Sequence, residues 1–286
     1  MLILKYNHLG LKIYPEHGGS STSFKVGERE LIYTDPEILK QFGFTGFFVL
    51  WPFPNRVRNK QYVFKGKTYS LENLTPPRWY HHAFARGLAW QSKQISPDTA
   101  QTWLNHDQTS PCWQNFPWAS RLSLTYILET NGLRVDYEVK NLDRTEFGFG
   151  FGLHPLFKNA TAIKVPARSV MEADKNLLPT GKLLPANLNQ LTPVKNLDLD
   201  DVFTDLTGPP LIEFPGGLRL TISSSPDFSH AVVYTGEKDK YTAVEQQTCS
   251  TDAHNLDALG FTKEAHLIKV KPGGIHHGWI RYAVLE

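Results

Sequence analysis

The chain has 286 residues, 41% apolar and 12% aromatic, with 30 basic and 28 acidic side chains, a net charge of +2 and no long run of either sign. This is ample for a core; it excludes a role driven by charge on nucleic acid or an anionic membrane, and no apolar run is long enough to span a bilayer. The start, Met1-Leu2-Ile3-Leu4-Lys5, lacks a cleavage-site pattern, and Cys112 and Cys249 are the only cysteines, so a cytoplasmic protein with free thiols is expected.

Leu9 to Tyr14 alternates apolar and polar residues and stops at Pro15; Ser21 to Val26 and Glu30 to Tyr33 read as further short strands. Asp35-Pro36-Glu37-Ile38-Leu39-Lys40 pairs an N-cap residue with proline at the first helical position, which predicts a short helix. Phe42 to Phe53 is almost wholly apolar, and the prolines of Pro52-Phe53-Pro54-Asn55-Arg56 then predict a turn that leaves the core and exposes Asn55 and Arg56. Tyr62 to Leu71 reads as a hairpin turning near Gly66. In Pro76 to Gly87 the tandem His81-His82 resembles a ligand pair. Neighbours in extended chain point to opposite faces, however, and no carboxylate or cysteine stands at ligand spacing, so one histidine facing a pocket is expected rather than a metal site.

Arg121 to Leu128 and Leu133 to Val139 alternate on either side of Asn131-Gly132, a strong hairpin pattern with one face for the core. Phe147-Gly148-Phe149-Gly150-Phe151-Gly152 then places three rings on one face of a strand and leaves the other bare, where a flat ligand or another backbone can approach. His154 follows at an expected strand end before Pro155. Asp174 to Asp201 reads as a long, proline-interrupted polar loop. Strands return at Leu211 to Phe214, Leu218 to Ser223, Ala231 to Tyr234, Tyr241 to Glu245, His266 to Val270 and Trp279 to Leu285. About fifteen strands against one or two helical turns predict an all-β, large antiparallel sandwich, and no linker composition divides residues 1–286, so one domain is expected.

Two side chains stand out chemically. Glu245 closes a predicted strand after small and apolar residues, as a structural acceptor or a base in a partly dry site; a histidine among aromatics such as His154 is ordinarily a hydrogen-bonded core residue. Together they offer one group to take a proton and one to give it.

At these residues the chain resembles the aldose 1-epimerases, or galactose mutarotases. The resemblance runs in order through Gly18-Gly19, Asn55-Arg56, the Gly66 hairpin, His82-Ala83-Phe84-Ala85-Arg86, His154-Pro155-Leu156-Phe157, Leu178-Pro179-Thr180-Gly181, Asp200-Asp201-Val202-Phe203 and Val244-Glu245. It implies the galactose mutarotase-like supersandwich, with His154 as general acid and Glu245 as general base. It further implies that Arg56, His82 and Asp200 bind the sugar, and that neither a metal nor an organic cofactor is used. The family usually has glycine where this chain has Ala83, so the methyl is expected to alter fit if a sugar approaches there. Phe149, Trp51 or Trp79 are candidates to cover an apolar sugar face. The implied proton transfers predict a bell-shaped pH–rate profile.

A hexose-6-phosphate 1-epimerase is the second enzymatic reading: Arg86 ends a stretch similar to that of such relatives, and Arg56, Arg58, Lys60 and Arg86 offer a phosphate cluster. A non-catalytic carbohydrate-binding protein is a third, disfavoured because acid and base are both present. A small sugar is thus the expected partner, with no nucleic acid or membrane, for a monomer or weak homodimer. His276-His277 has no identifiable role.

Overall fold

Strands that alternate apolar and polar residues gain most by laying their apolar faces against one another, and this chain does so in two large sheets. The structure is a computed structural model that describes residues 1–42, 45–74 and 81–285. The first sheet orders its strands Leu2–Tyr6, Leu9–Tyr14, Ser20–Val26, Phe47–Leu50, Gly152–Lys158, Tyr241–Gln247, His230–Tyr234, Asp200–Leu206, Ala167–Ala173 and Pro179–Pro185, with Arg29–Glu30 pairing on Ser20–Val26. The second runs Thr192–Pro193, Ala162–Lys164, Leu211–Glu213, Arg219–Ser224, Ile275–Leu285, Gly132–Asn141, Ser120–Glu129, Thr99–His106 and Gln91–Gln94. All pairings in both are antiparallel among the described residues, so the large antiparallel sandwich read from the sequence is the observed architecture.

The core lies between the sheets. Val49, Leu153, Val244 and Val233 of the first sheet and Val135, Tyr137, Ile280 and Tyr282 of the second belong to one buried cluster, and the Phe47 ring meets Tyr282 edge-on at 4.9 Å. The predicted hairpin pairs Leu128 with Leu133, but its turn is Thr130-Asn131. Gly132 is already in the ladder, where a Cβ would come within 2.1 Å of the Tyr282 carbonyl oxygen, so its glycine serves strand approach rather than the turn. The helix predicted after Asp35 spans Pro36–Phe42, and Asp35 Oδ1 accepts from the backbone N–H groups of Glu37 and Ile38 at 2.9 and 3.2 Å.

Several expectations are corrected. The aromatic–glycine run is two strands, Phe147–Phe149 on Ile268–Val270 and Gly152–Lys158 in the first sheet. Its bare face meets side chains and no ligand: a Cβ on Gly148 would strike Leu267 and Phe64, and one on Gly150 would strike Cys249 Sγ and Pro54. Phe147, Phe149 and Phe151 are fully buried, each stabilising the fold by roughly 1.5–3 kcal/mol. Asp174 to Asp201 is not a plain loop, since Pro179–Pro185 pairs with Ala167–Ala173 at the sheet edge, where a strand tolerates proline. Glu30 to Tyr33 keeps only a two-residue strand, Arg29–Glu30, and an isolated bridge from Ile32 to Phe157. Short helices stand at Ala253–Ala258 and Thr262–Ala265, neither with a side-chain cap hydrogen bond although Asp252 occupies the N-cap of the first. Both cysteines are free and buried, and no helix among the described residues is long and apolar enough to cross a membrane.

Candidate active site

The floor of the site is set by strand register. Gly152 stands opposite Gln247 and Leu156 opposite Ala243, so His154 and Glu245, two residues in from each, face one another across adjacent strands on the same side of the sheet. His154 is therefore in the interior of a strand at the middle of the sheet, not at a strand end as expected. The ladder is interrupted between those two points, where Pro155 supplies no N–H. The row continues through Phe48, opposite His154, and Val232, opposite Glu245; the next row holds Leu156, Tyr234 and Asp200. These residues line a cavity of about 330 Å³, within the range of small-molecule sites.

His154 Nε2 donates to Glu245 Oε1 at 2.9 Å, with side-chain exposures of 9% and 2%. The second carboxylate oxygen accepts from Gln247 Nε2 at 2.8 Å. Phe48 stacks on the imidazole of His154 at 4.4 Å and 26°, and His82 meets it edge-on at 4.9 Å. The His154–Glu245 pair is thus held by Gln247, Phe48 and His82 in a nearly dry setting.

Two loops make the rim. The turn after Trp51-Pro52, a cis peptide bond, brings Asn55 and Arg56 over the sheet, and Asn55 takes a positive φ of 62°. Asn55 is 2% exposed, so the expected excursion into solvent does not occur. Arg56 Nη2 and Nη1 donate to Asp200 Oδ2 and Oδ1 at 2.9 and 3.4 Å, and Nη1 also donates to Asn55 Oδ1 at 3.1 Å. Both partners of this ion pair are half-buried.

The second loop carries the histidine pair. His82 and Ala83 take φ of 65° and 57°, and this left-handed turn stacks the two rings at 3.9 Å with both lining the cavity. The opposite-face expectation fails because the segment is not extended. Burial, helped by the charges of His81, His154, Arg86 and Arg56, holds the His82 pKa well below its usual value, so the ring is neutral. Arg86 completes the wall, donating from Nη2 to the His81 carbonyl at 2.6 Å with its guanidinium 5.6 Å from the Phe48 ring centre. Gly18 seats this loop, because a Cβ there would come within 1.9 Å of the Arg86 carbonyl oxygen.

The structure therefore gathers His154, Glu245, Arg56, His82, Asp200 and Arg86 around one cavity. Phe149 and Trp51 do not line it; Trp51 is fully buried against Phe84 and Phe116, and Trp79 lies outside the described residues. Ala83 is buried in the core, so its backbone conformation and not sugar contact accounts for a glycine preference there. Sequence reasoning missed Phe48, hidden in the uniformly buried strand Phe47–Leu50, and Gln247, which the two-residue period from Glu245 would have placed on the same face.

Comparison with known proteins settles the family. The family model described as aldose 1-epimerase matches residues 4–283. The chain belongs to the aldose 1-epimerase family. Among its relatives, the Escherichia coli (strain K12) protein YihR is 29% identical over 224 residues, 72% of this chain and 71% of that one. A galactose mutarotase-like protein from Clostridium acetobutylicum superposes with a TM-score of 0.86 at 19% identity, covering 99% of this chain and 94% of that one. Another from Lactobacillus casei ATCC 334 gives 0.80 at 18% identity over 100% of both chains. At such identities the structural likeness speaks for the fold, which is galactose mutarotase-like throughout.

Proposed function

We propose that this aldose 1-epimerase family member interconverts the α and β anomers of a neutral hexose, with Glu245 as base and His154 as acid. The observation that carries the reading is their 2.9 Å contact on the floor of the cavity. The anomeric hydroxyl and the ring oxygen are bonded to the same carbon, so the groups serving them must be neighbours. A sugar entering the pair gives its anomeric proton to the Glu245 carboxylate while protonated His154 donates to the ring oxygen. The bond from the anomeric carbon to the ring oxygen breaks with its electrons on that oxygen, and the hydroxyl electrons form the aldehyde. Rotation about the next carbon–carbon bond and closure by reversed transfers yield the other anomer, and both groups regain their starting protonation.

Gln247 supports the scheme by occupying the carboxylate oxygen that does not face His154. Arg56, Asp200 and His82 supply donors and acceptors for hydroxyls, and Phe48 and Tyr234 supply apolar surface. The charge balance favours a neutral sugar over a phosphate: the arginines Arg56 and Arg86 in the lining are matched by the carboxylates Asp200 and Glu245. The expected phosphate cluster is not assembled among the described residues, because Arg58 turns away to Asp174 and Asp252 at 2.9 and 3.5 Å.

Anomer exchange followed by NMR with glucose, galactose and glucose 6-phosphate tests this. Fast, enzyme-dependent exchange of a neutral sugar, lost in Glu245→Gln and bell-shaped in pH, is expected. Preference for the phosphate would transfer the reading to a hexose-6-phosphate 1-epimerase, and no acceleration with any aldose would point to a binding protein.

A further inference from the structure

The geometry of the cavity points to a second ligand for the same side chains: we infer that His82 of the rim and His154 and Glu245 of the floor bind one divalent transition-metal ion of the zinc class, in competition with the sugar. Each residue offers one ligand atom, and these atoms lie within 4.8 Å of one another. Ligand atoms around a tetrahedral zinc with nitrogen and oxygen donors are roughly 3.3 Å apart. His154 Nε2 and Glu245 Oε1 are at 2.9 Å, so they need part by only a few tenths of an ångström. His82 Nδ1 is buried without a hydrogen-bond partner in a residue 8% exposed.

The surroundings suit such an ion. The Gln247 amide on Glu245 Oε2 leaves Oε1 as the ligating oxygen, the kind of outer-shell hydrogen bond that orients metal-binding carboxylates. Two imidazoles and one carboxylate select zinc, nickel or copper over magnesium or calcium, which prefer all-oxygen sets. The fourth position opens on the cavity, where water or a sugar hydroxyl can stand. The missing carboxylate of the His81-His82 stretch is thus provided by Glu245, brought alongside by strand register. A bound ion takes the lone pairs that the proton transfers require, so occupancy blocks anomer exchange. The competition, though not the binding, rests on the proposed anomer exchange.

The test is calorimetric titration of the EDTA-treated full chain with zinc chloride in the absence of sugar, with visible absorption of the cobalt(II) form as a second readout. One ion per chain and a tetrahedral cobalt spectrum are expected, with affinity falling at least about tenfold in His82→Ala and in Glu245→Gln when circular dichroism shows both folded. No binding, or an affinity unchanged in both variants because the ion sits elsewhere, for instance at His276-His277, would overturn the site. In the wild type, exchange should fall in step with zinc occupancy and return with EDTA; full exchange at saturating zinc would overturn the competition. Binding is read without sugar, so its failure and a failure of the anomer-exchange reading are separate results.

Discussion

The floor and the rim of the cavity are built by different means. His154, Glu245, Phe48 and Gln247 sit on three adjacent paired strands, so alternation and register fix them and all are buried. Arg56 and His82 come from loops with left-handed residues, and the Arg56–Asp200 pair across the mouth is only half-buried. Under the proposed function, the pair that must pass protons to within a fraction of an ångström is on the stiff part. The groups proposed to suit a particular sugar are on the part where loops can change without disturbing the sheets.

That division can be broken most directly at the floor. His154→Asn or Glu245→Gln should lower the turnover rate for anomer exchange by about 10²–10⁴-fold with the fold intact by circular dichroism; a loss confined to KM would place the pair among binding groups. At the rim, Arg56→Lys removes the two-pronged contact with Asp200, and KM should rise about tenfold while kcat stays within about threefold. Saturation kinetics by NMR read both parameters, and a collapse of kcat would erase the contrast.

Stability should respond to pH through buried histidines, His82 at the rim and His254 and His230 behind the floor. Burial pushes His254 down to about 4, against the hydrogen bond it donates to the Gly148 carbonyl, and His230 down to about 3. A folded pKa below the unfolded value of about 6.5 means that the unfolded chain binds more protons between the two. Each group's stabilising contribution is therefore present above pH 6.5 and lost as pH falls toward 4, by at most about 3 kcal/mol for His254. Urea midpoints should fall over that window, and His254→Gln should flatten the slope. The smallest effect is expected at Ala83→Gly, where relief of a left-handed backbone offsets lost methyl burial and a freer unfolded chain: stability within about 1 kcal/mol and unchanged exchange. A large change in KM there would return Ala83 to the sugar's surroundings.

The sandwich was legible because period-two alternation survives in long strands such as Ser120–Glu129 and Gly132–Asn141. Some strands that escaped notice are short or fully buried, where alternation has no contrast to display, as in Phe47–Leu50; Thr99–His106, eight residues long with alternating burial, escaped as well because its own residues Gln101, Thr102 and Asn105 blur the apolar–polar pattern. The acid and base were legible as residue types in order, but their contact was not, since register between strands almost a hundred residues apart leaves no mark in either strand. The turn at His82-Ala83 was misread for a related reason: histidine visits a left-handed backbone only occasionally and alanine rarely, so tertiary packing against Gly18 and the core is what fixes it.

The pairing of Arg56 with Asp200 also bears on how a sugar arrives. With lining arginines and carboxylates in balance, the cavity casts little field beyond a Debye length, about 8 Å at physiological ionic strength. Under the proposed function, encounter with an uncharged sugar owes nothing to long-range attraction, and the capture rate should stay level from dilute buffer to concentrated salt.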